Sequence, residues 1–174
     1  HALRTEKPTV PFEHALDAYD RIIGLDLSEV AVDGSLHKAP CGGEGTGPNP
    51  TDRGRSGWKW SIGTDRNGIP VGWATDGANR HDIPMLAPTL TSIASRHLLV
   101  DVETIHLDRG YDANTVRATL ATYGLDDAVI AKRRNRGEPA PVKAGLGLRW
   151  PVQRTNSWMT NYGQLRRNTA RPPA

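Results

Sequence analysis

The chain has 174 residues, 37% of them hydrophobic with five Trp, which suits one folded domain with a sizeable core and argues against a disordered chain. Cys41 is the only cysteine, so an intramolecular disulfide is excluded and a reducing cytosol fits. No run approaches the ~20 apolar residues of a membrane span, no N-terminal segment reads as a signal peptide, and the net charge of +3 is unevenly spread.

Taken in order, residues 1–28 read as a lead-in segment. Pro8 and Pro11 break any helix at the start, and 12–18 suit a short one. Residues 29–35 read as a first strand that ends in Asp33-Gly34. Residues 40–57 are rich in Gly and Pro and predict a loop. The spacing Gly43, Gly45, Pro48 is not a dinucleotide fingerprint, because a proline stands where the helix should open. Trp58, Trp60 and Ile62 alternate as a second strand, Asp65-Arg66-Asn67-Gly68 makes a hairpin turn, and 69–74 form a third. Asp82 suits a helix N-cap, followed by Met85, Leu86, Leu90 and Ile93 at helical spacing. Residues 104–108 form a fourth strand, 112–123 a helix stopped by Gly124, and 128–131 a fifth, short buried strand. After a basic loop, Pro151 opens a last helix, whose stripe of Val152, Thr155, Trp158, Met159, Tyr162 and Leu165 reads as core packing.

Two stretches carry chemistry. Asp33 closes the apolar run 30–32, Asp108 ends a strand in which Ile105 and Leu107 alternate with polar neighbours, and each acid is followed closely by a glycine. Two strand-end carboxylates are the oxygen ligands that a hard divalent cation takes; strand-end Asp residues also simply cap turns, and the pattern alone leaves both readings open. The charge is divided. Residues 131–174 hold ten Lys/Arg against one acid, a charge of +9, while the rest holds twelve against eighteen, −6. An acidic body with a basic C-terminal segment suits a polyanionic partner.

The words Ala18-Tyr19-Asp20-Arg21-Ile22-Ile23-Gly24-Leu25-Asp26, Val32-Asp33-Gly34-Ser35-Leu36-His37-Lys38-Ala39-Pro40-Cys41-Gly42-Gly43, Gly77-Ala78-Asn79-Arg80-His81-Asp82 and His106-Leu107-Asp108-Arg109-Gly110-Tyr111 resemble bacterial DDE transposases, closest to the insertion-sequence four/five group. A fifth word, Arg149-Trp150-Pro151-Val152-Gln153-Arg154-Thr155-Asn156-Ser157-Trp158, is similar to that family's C-terminal signature. The resemblance runs in family order from Tyr19 to Arg171.

It implies an α/β fold: a ribonuclease-H-like mixed sheet with elements in the order β-β-β-α-β-α-β-α, occupying 29–171 and incomplete at its C-terminus. It implies metal-dependent DNA cleavage and strand transfer with three carboxylates holding two Mg²⁺ or Mn²⁺ ions. By position the first acid is Asp33 and the second Asp108, 74 residues intervening; these two are the expected metal ligands. The third, a Glu in the family, is Gln153 here, with 44 residues intervening. Gln has the shape of Glu without its charge, so the site loses one negative ligand. The resemblance also implies double-stranded DNA partners at element ends and target, a bacterial cytoplasmic location at the nucleoid, and a homo-oligomer. Lys38, Arg109, Arg133, Arg134, Arg149, Arg154, Arg166 and Arg167 are the expected DNA-contacting residues. The start at His1, the loss of the third acid and the end at Pro172-Pro173-Ala174 together predict a truncated copy. The alternative to a weakened enzyme is an inactive truncated transposase that binds DNA or a full-length transposase.

Overall fold

The structure is a computed structural model and describes residues 10–132 and 150–163. Helix α1 (Val10–Ile22) leads into strand β1 (Glu29–Lys38), the two-residue β2 (Gly47–Pro48), β3 (Ser56–Thr64) and β4 (Pro70–Gly77). Helix α2 (Asp82–Ala94), β5 (Thr104–Leu107), α3 (Asn114–Thr122), β6 (Ala128–Ile130) and α4 (Trp150–Asn161) complete the order. β3 runs antiparallel to β1 and to β4, while β5 and β6 join in parallel on the other edge of β1. The sheet thus reads β3-β1-β5-β6 with β4 and β2 outside β3. Three antiparallel strands followed by helix-linked parallel ones are the expected ribonuclease-H-like arrangement.

Side-chain alternation divides the core between two faces. Val30, Val32, Ile105 and Leu107 meet Leu86, Leu90 and Ile93 of α2 and Val116 and Leu120 of α3 in the larger cluster. Their sequence neighbours point the other way, so Ala31, Trp60 and Ile62 join Val152 of α4 in a smaller cluster. The hairpin turn 65–68 is confirmed. Asp65 is fully buried there and accepts from the backbone N–H of Asn67 (2.9 Å) and of Ile69 (2.7 Å).

Several sequence expectations are corrected. Proline does not stop α1, because Pro11 lies in its first turn, where an amide N–H has no helical partner to lose. β1 does not end near Asp33 but continues to Lys38, since β3 pairs with it along that length. β6 is an edge strand with Val129 44% exposed, not a buried one. Trp158 and Tyr162 leave the buried stripe of α4, at 63% and 69% exposure; the buried face is Pro151, Val152, Thr155 and Asn156. Leu165 and the basic loop 133–149 lie outside the described residues. Among the described residues no helix is long and apolar enough to cross a membrane.

Candidate active site

Asp33 is the fifth residue of β1 and sits where the parallel partner β5 runs out. The β1–β5 register pairs Glu29 with Thr104 and Ala31 with His106. The same offset carried two residues on sets Asp33 opposite Asp108. Alternation puts Asp33 on the face of Ala31, which is the face α4 covers. Asp108 follows the last residue of β5 and caps a one-turn 3-10 helix, Arg109–Tyr111, its Oδ1 accepting from the Gly110 N–H at 2.7 Å. Both acids are half-buried. The turn-capping reading of Asp108 is thus observed directly.

Helix α4 brings a neutral amide to Asp33. Asn156 Nδ2 donates to Asp33 Oδ2 at 3.3 Å, and Asn156 Oδ1 accepts from the buried indole N–H of Trp60 at 2.9 Å. Gln153 lies one turn earlier on α4 and is exposed. Sequence reasoning passed over Asn156; its signal was the spacing of three from Gln153, which sets both on one side of the helix.

On the opposite face of the sheet at the same end lies an ion pair, Lys59 Nζ to Asp82 Oδ1 at 2.7 Å, with Lys59 also donating to the Arg80 carbonyl at 3.2 Å. This corrects the capping reading of Asp82. His81 occupies the N-cap position of α2, and the Asp82 carboxylate serves Lys59 instead. Gly34 makes room for the pair, since a Cβ there would lie 2.4 Å from Asp82 Oδ1 and 3.1 Å from Lys59 Cε. The glycine after Asp33 is therefore not a turn but a point of close approach. Gly34→Ala is expected to cost about 1–2 kcal/mol in denaturant unfolding, and clearly less in an Asp82→Ala background, because the clash is with that side chain.

The Tyr111 side chain, 1% exposed, reports the electrostatics of this sheet end. Its phenol is pushed well above the usual tyrosine range, first by burial and then by the charge of Asp82; Ser61 offsets part of this, and Asp33 and Asp108 add to it. Three carboxylates thus act on one buried hydroxyl. Among the described residues no three His, Cys, Asp or Glu side chains form a set that could hold a metal ion. The donor chemistry fits a divalent cation in two oxygen-bearing acids from adjacent strands and lacks a third anion.

The family profile described as Transposase DDE domain matches residues 24–173. The chain belongs to that family. It is 37% identical over 127 residues to a Burkholderia cepacia protein described as the candidate transposase for insertion sequence element IS402, covering 70% of this chain. It spans 57% of that relative's length. Two solved structures are similar at 12% identity and a TM-score of 0.40. One is the Mos1 transposase paired-end complex with left transposon end, covering 83% of this chain and 56% of that one. The other is the Mos1 mariner paired end complex with Mn, covering 84% and 57%.

Three of the expected DNA-contacting residues, Lys38, Arg109 and Arg154, are among the described ones. Lys38 is exposed and within 3.4 Å of Asp52 Oδ1. Arg109 is exposed beside Asp108. Arg154 stacks between the rings of Trp150 and Trp158, 4.6 and 4.7 Å from their centroids, and donates to the Asn67 carbonyl. Its guanidinium is engaged in fastening α4 to the hairpin turn. Arg133, Arg134, Arg149, Arg166 and Arg167 lie outside the described residues.

Proposed function

We infer that the chain carries the phosphoryl-transfer site of an insertion-sequence transposase, built on Asp33 and Asp108 and weakened by glutamine at position 153. What supports this is the β1–β5 register, whose offset, carried one residue past the end of β5, brings Asp108 alongside Asp33. A Mg²⁺ or Mn²⁺ ion held there would neutralise phosphate charge and activate the attacking oxygen. The residues of the chain do the holding. Asp33 and Asp108 supply anionic oxygens, and the N–H of Gly110 and the amide of Asn156 each fix one oxygen of an acid. Gln153 offers at most a neutral carbonyl, so cation binding is weak and strand cleavage slow.

Mn²⁺ titration by calorimetry tests this reading. Asp33→Asn and Asp108→Asn should each abolish measurable binding, and Gln153→Glu should tighten it, since it adds a charge at almost no steric cost. If Gln153→Glu binds no better than the starting protein, position 153 is not the third ligand.

A second reading is binding without cleavage, favoured by the amide that α4 turns toward Asp33. In either reading the partner is double-stranded DNA, at element ends or target, met by the basic segment after Ala131. Such binding should be largely independent of sequence and weaken steeply with salt, as Lys and Arg release counterions. Replacing Arg133, Arg134 and Arg136 together should flatten the slope of log K against log salt. An unchanged slope would place the DNA surface elsewhere.

A further inference from the structure

We propose that Asn156, locked by Trp60, is the positioning residue for Asp33. The argument begins with what each group can do. An indole N–H only donates, so the atom facing it at 2.9 Å must be the amide oxygen of Asn156. That choice fixes the other end. The Asn156 NH₂ faces Asp33 Oδ2 at 3.3 Å and donates to it. The orientation of the amide is therefore dictated by Trp60 and not interchangeable.

Trp60 has little freedom of its own. It is 3% exposed, its ring centroid lies 3.9 Å from that of His37 and 5.2 Å from that of Trp58, and it packs in the cluster with Val152. Asn156 is 7% exposed. The chain Trp60–Asn156–Asp33 thus runs from a rigid, buried ring on β3, through α4, to a carboxylate on β1. A hydrogen bond from an amide favours the ionised carboxylate and restricts its rotation. Groups that orient a ligand in this way commonly tune cation affinity as strongly as a ligand's neighbour can. This inference rests on the reading of Asp33 as a cation ligand only for its second arm.

The test uses the full chain and ¹H–¹⁵N spectra. Without metal, Asp33→Ala should shift the side-chain NH₂ signals of Asn156, and Asn156→Ala should shift the Trp60 indole signal and speed its hydrogen exchange. Trp60→Phe, which keeps a packed ring and removes the donor, should move the Asn156 signals in the same way. With Mn²⁺, Asn156→Ala and Trp60→Phe should each weaken binding about tenfold. Thr155→Ala, which removes the hydroxyl that fastens the same helix to the Gly68 carbonyl and contacts neither Trp60 nor Asp33 through that bond, should leave Mn²⁺ affinity unchanged. Asn156 signals indifferent to both Asp33→Ala and Trp60→Phe overturn the proposal. So does an equal loss of affinity in Thr155→Ala, which would make the effect merely structural. If the starting protein binds no Mn²⁺ but the metal-free shifts occur, the positioning contact stands and the cation reading fails.

Discussion

Gly72→Ala is expected to lower the unfolding free energy by about 3 kcal/mol and the melting temperature by roughly 6–12 °C. A Cβ at Gly72 would lie 2.5 Å from Ile93 Cγ1, 2.8 Å from the Ile93 amide nitrogen and 3.2 Å from its Cα. A side chain can rotate away from such a clash, but helix backbone cannot. The C-terminal turn of α2 would have to lift off the sheet and take Ile93, which is fully buried, out of the larger core. Gly63, the cross-strand partner of Gly72, is a useful contrast. Its Cβ would come within 2.9 Å of Ile93 Cδ1, the far end of a side chain. Gly63→Ala should therefore cost about 1 kcal/mol. Truncating Ile93 to alanine removes Cδ1 and leaves the backbone in place. In double-mutant cycles by urea unfolding, Ile93→Ala should absorb most of the Gly63→Ala penalty and little of the Gly72→Ala penalty. Equal coupling at both glycines would show that α2 moves freely on the sheet.

Those two glycines mark the boundary of what alternation reveals. Val71 and Trp73, two residues apart, mark β4 by alternation, although a register shift beside Gly63 puts Val71 in the larger cluster and Trp73 against the smaller one. Nothing in the pattern says that Gly72 is glycine because a helix backbone lies against it. The same division holds at the candidate site. Val30 to Val32 is an apolar run because both faces of β1 are covered, and Ile105 and Leu107 alternate with polar Thr104 and His106, so Asp33 and Asp108 stood out beyond them. The run stops at Asp33 where β5 stops, although β1 itself continues on its pairing with β3. Where a neighbour ends is a tertiary fact.

Helix α4 was legible as a helix but not in phase. Trp158 satisfies the three/four spacing of the buried stripe, yet it also stands four residues from Arg154, as Trp150 does on the other side. The guanidinium draws both rings to the surface. Hydrophobic spacing cannot separate a ring that packs in a core from one that stacks on a cation. Position 153 came from family resemblance. The contact with Asp33 belongs to Asn156 because Trp60, distant in sequence, supplies the donor that aims its amide.

Acidification from pH 7 to pH 4 is expected to remove about 3 kcal/mol of stability through His37 alone. The imidazole is 2% exposed, and neither ring nitrogen has a hydrogen-bond partner among the described residues. It lies against the rings of Trp60 and Trp58. Burial disfavours the charged form and lowers its pKa from 6.5 to about 4. Above pH 6.5 both folded and unfolded chains carry the neutral ring, and pH has no effect through this group. Between 6.5 and about 4 the unfolded chain takes up a proton that the folded chain refuses, so stability falls as pH falls. Below about 4 both are protonated and the loss levels off. Asp65 works in the opposite sense. Burial raises its pKa, with the amides of Ile69, Asp26 and Asn67 opposing that rise, so protonation relieves a buried charge as the pH drops. The raw pH profile therefore mixes the two, and a difference is needed. His37→Phe keeps a ring between the tryptophans and removes the titration. Subtracting its unfolding profile from that of the starting protein should leave a curve flat above pH 7 and falling through the interval between 6.5 and 4. If the two profiles are parallel across that interval, His37 does not stay neutral in the folded chain, and its burial beside Trp60 is looser than the structure has it.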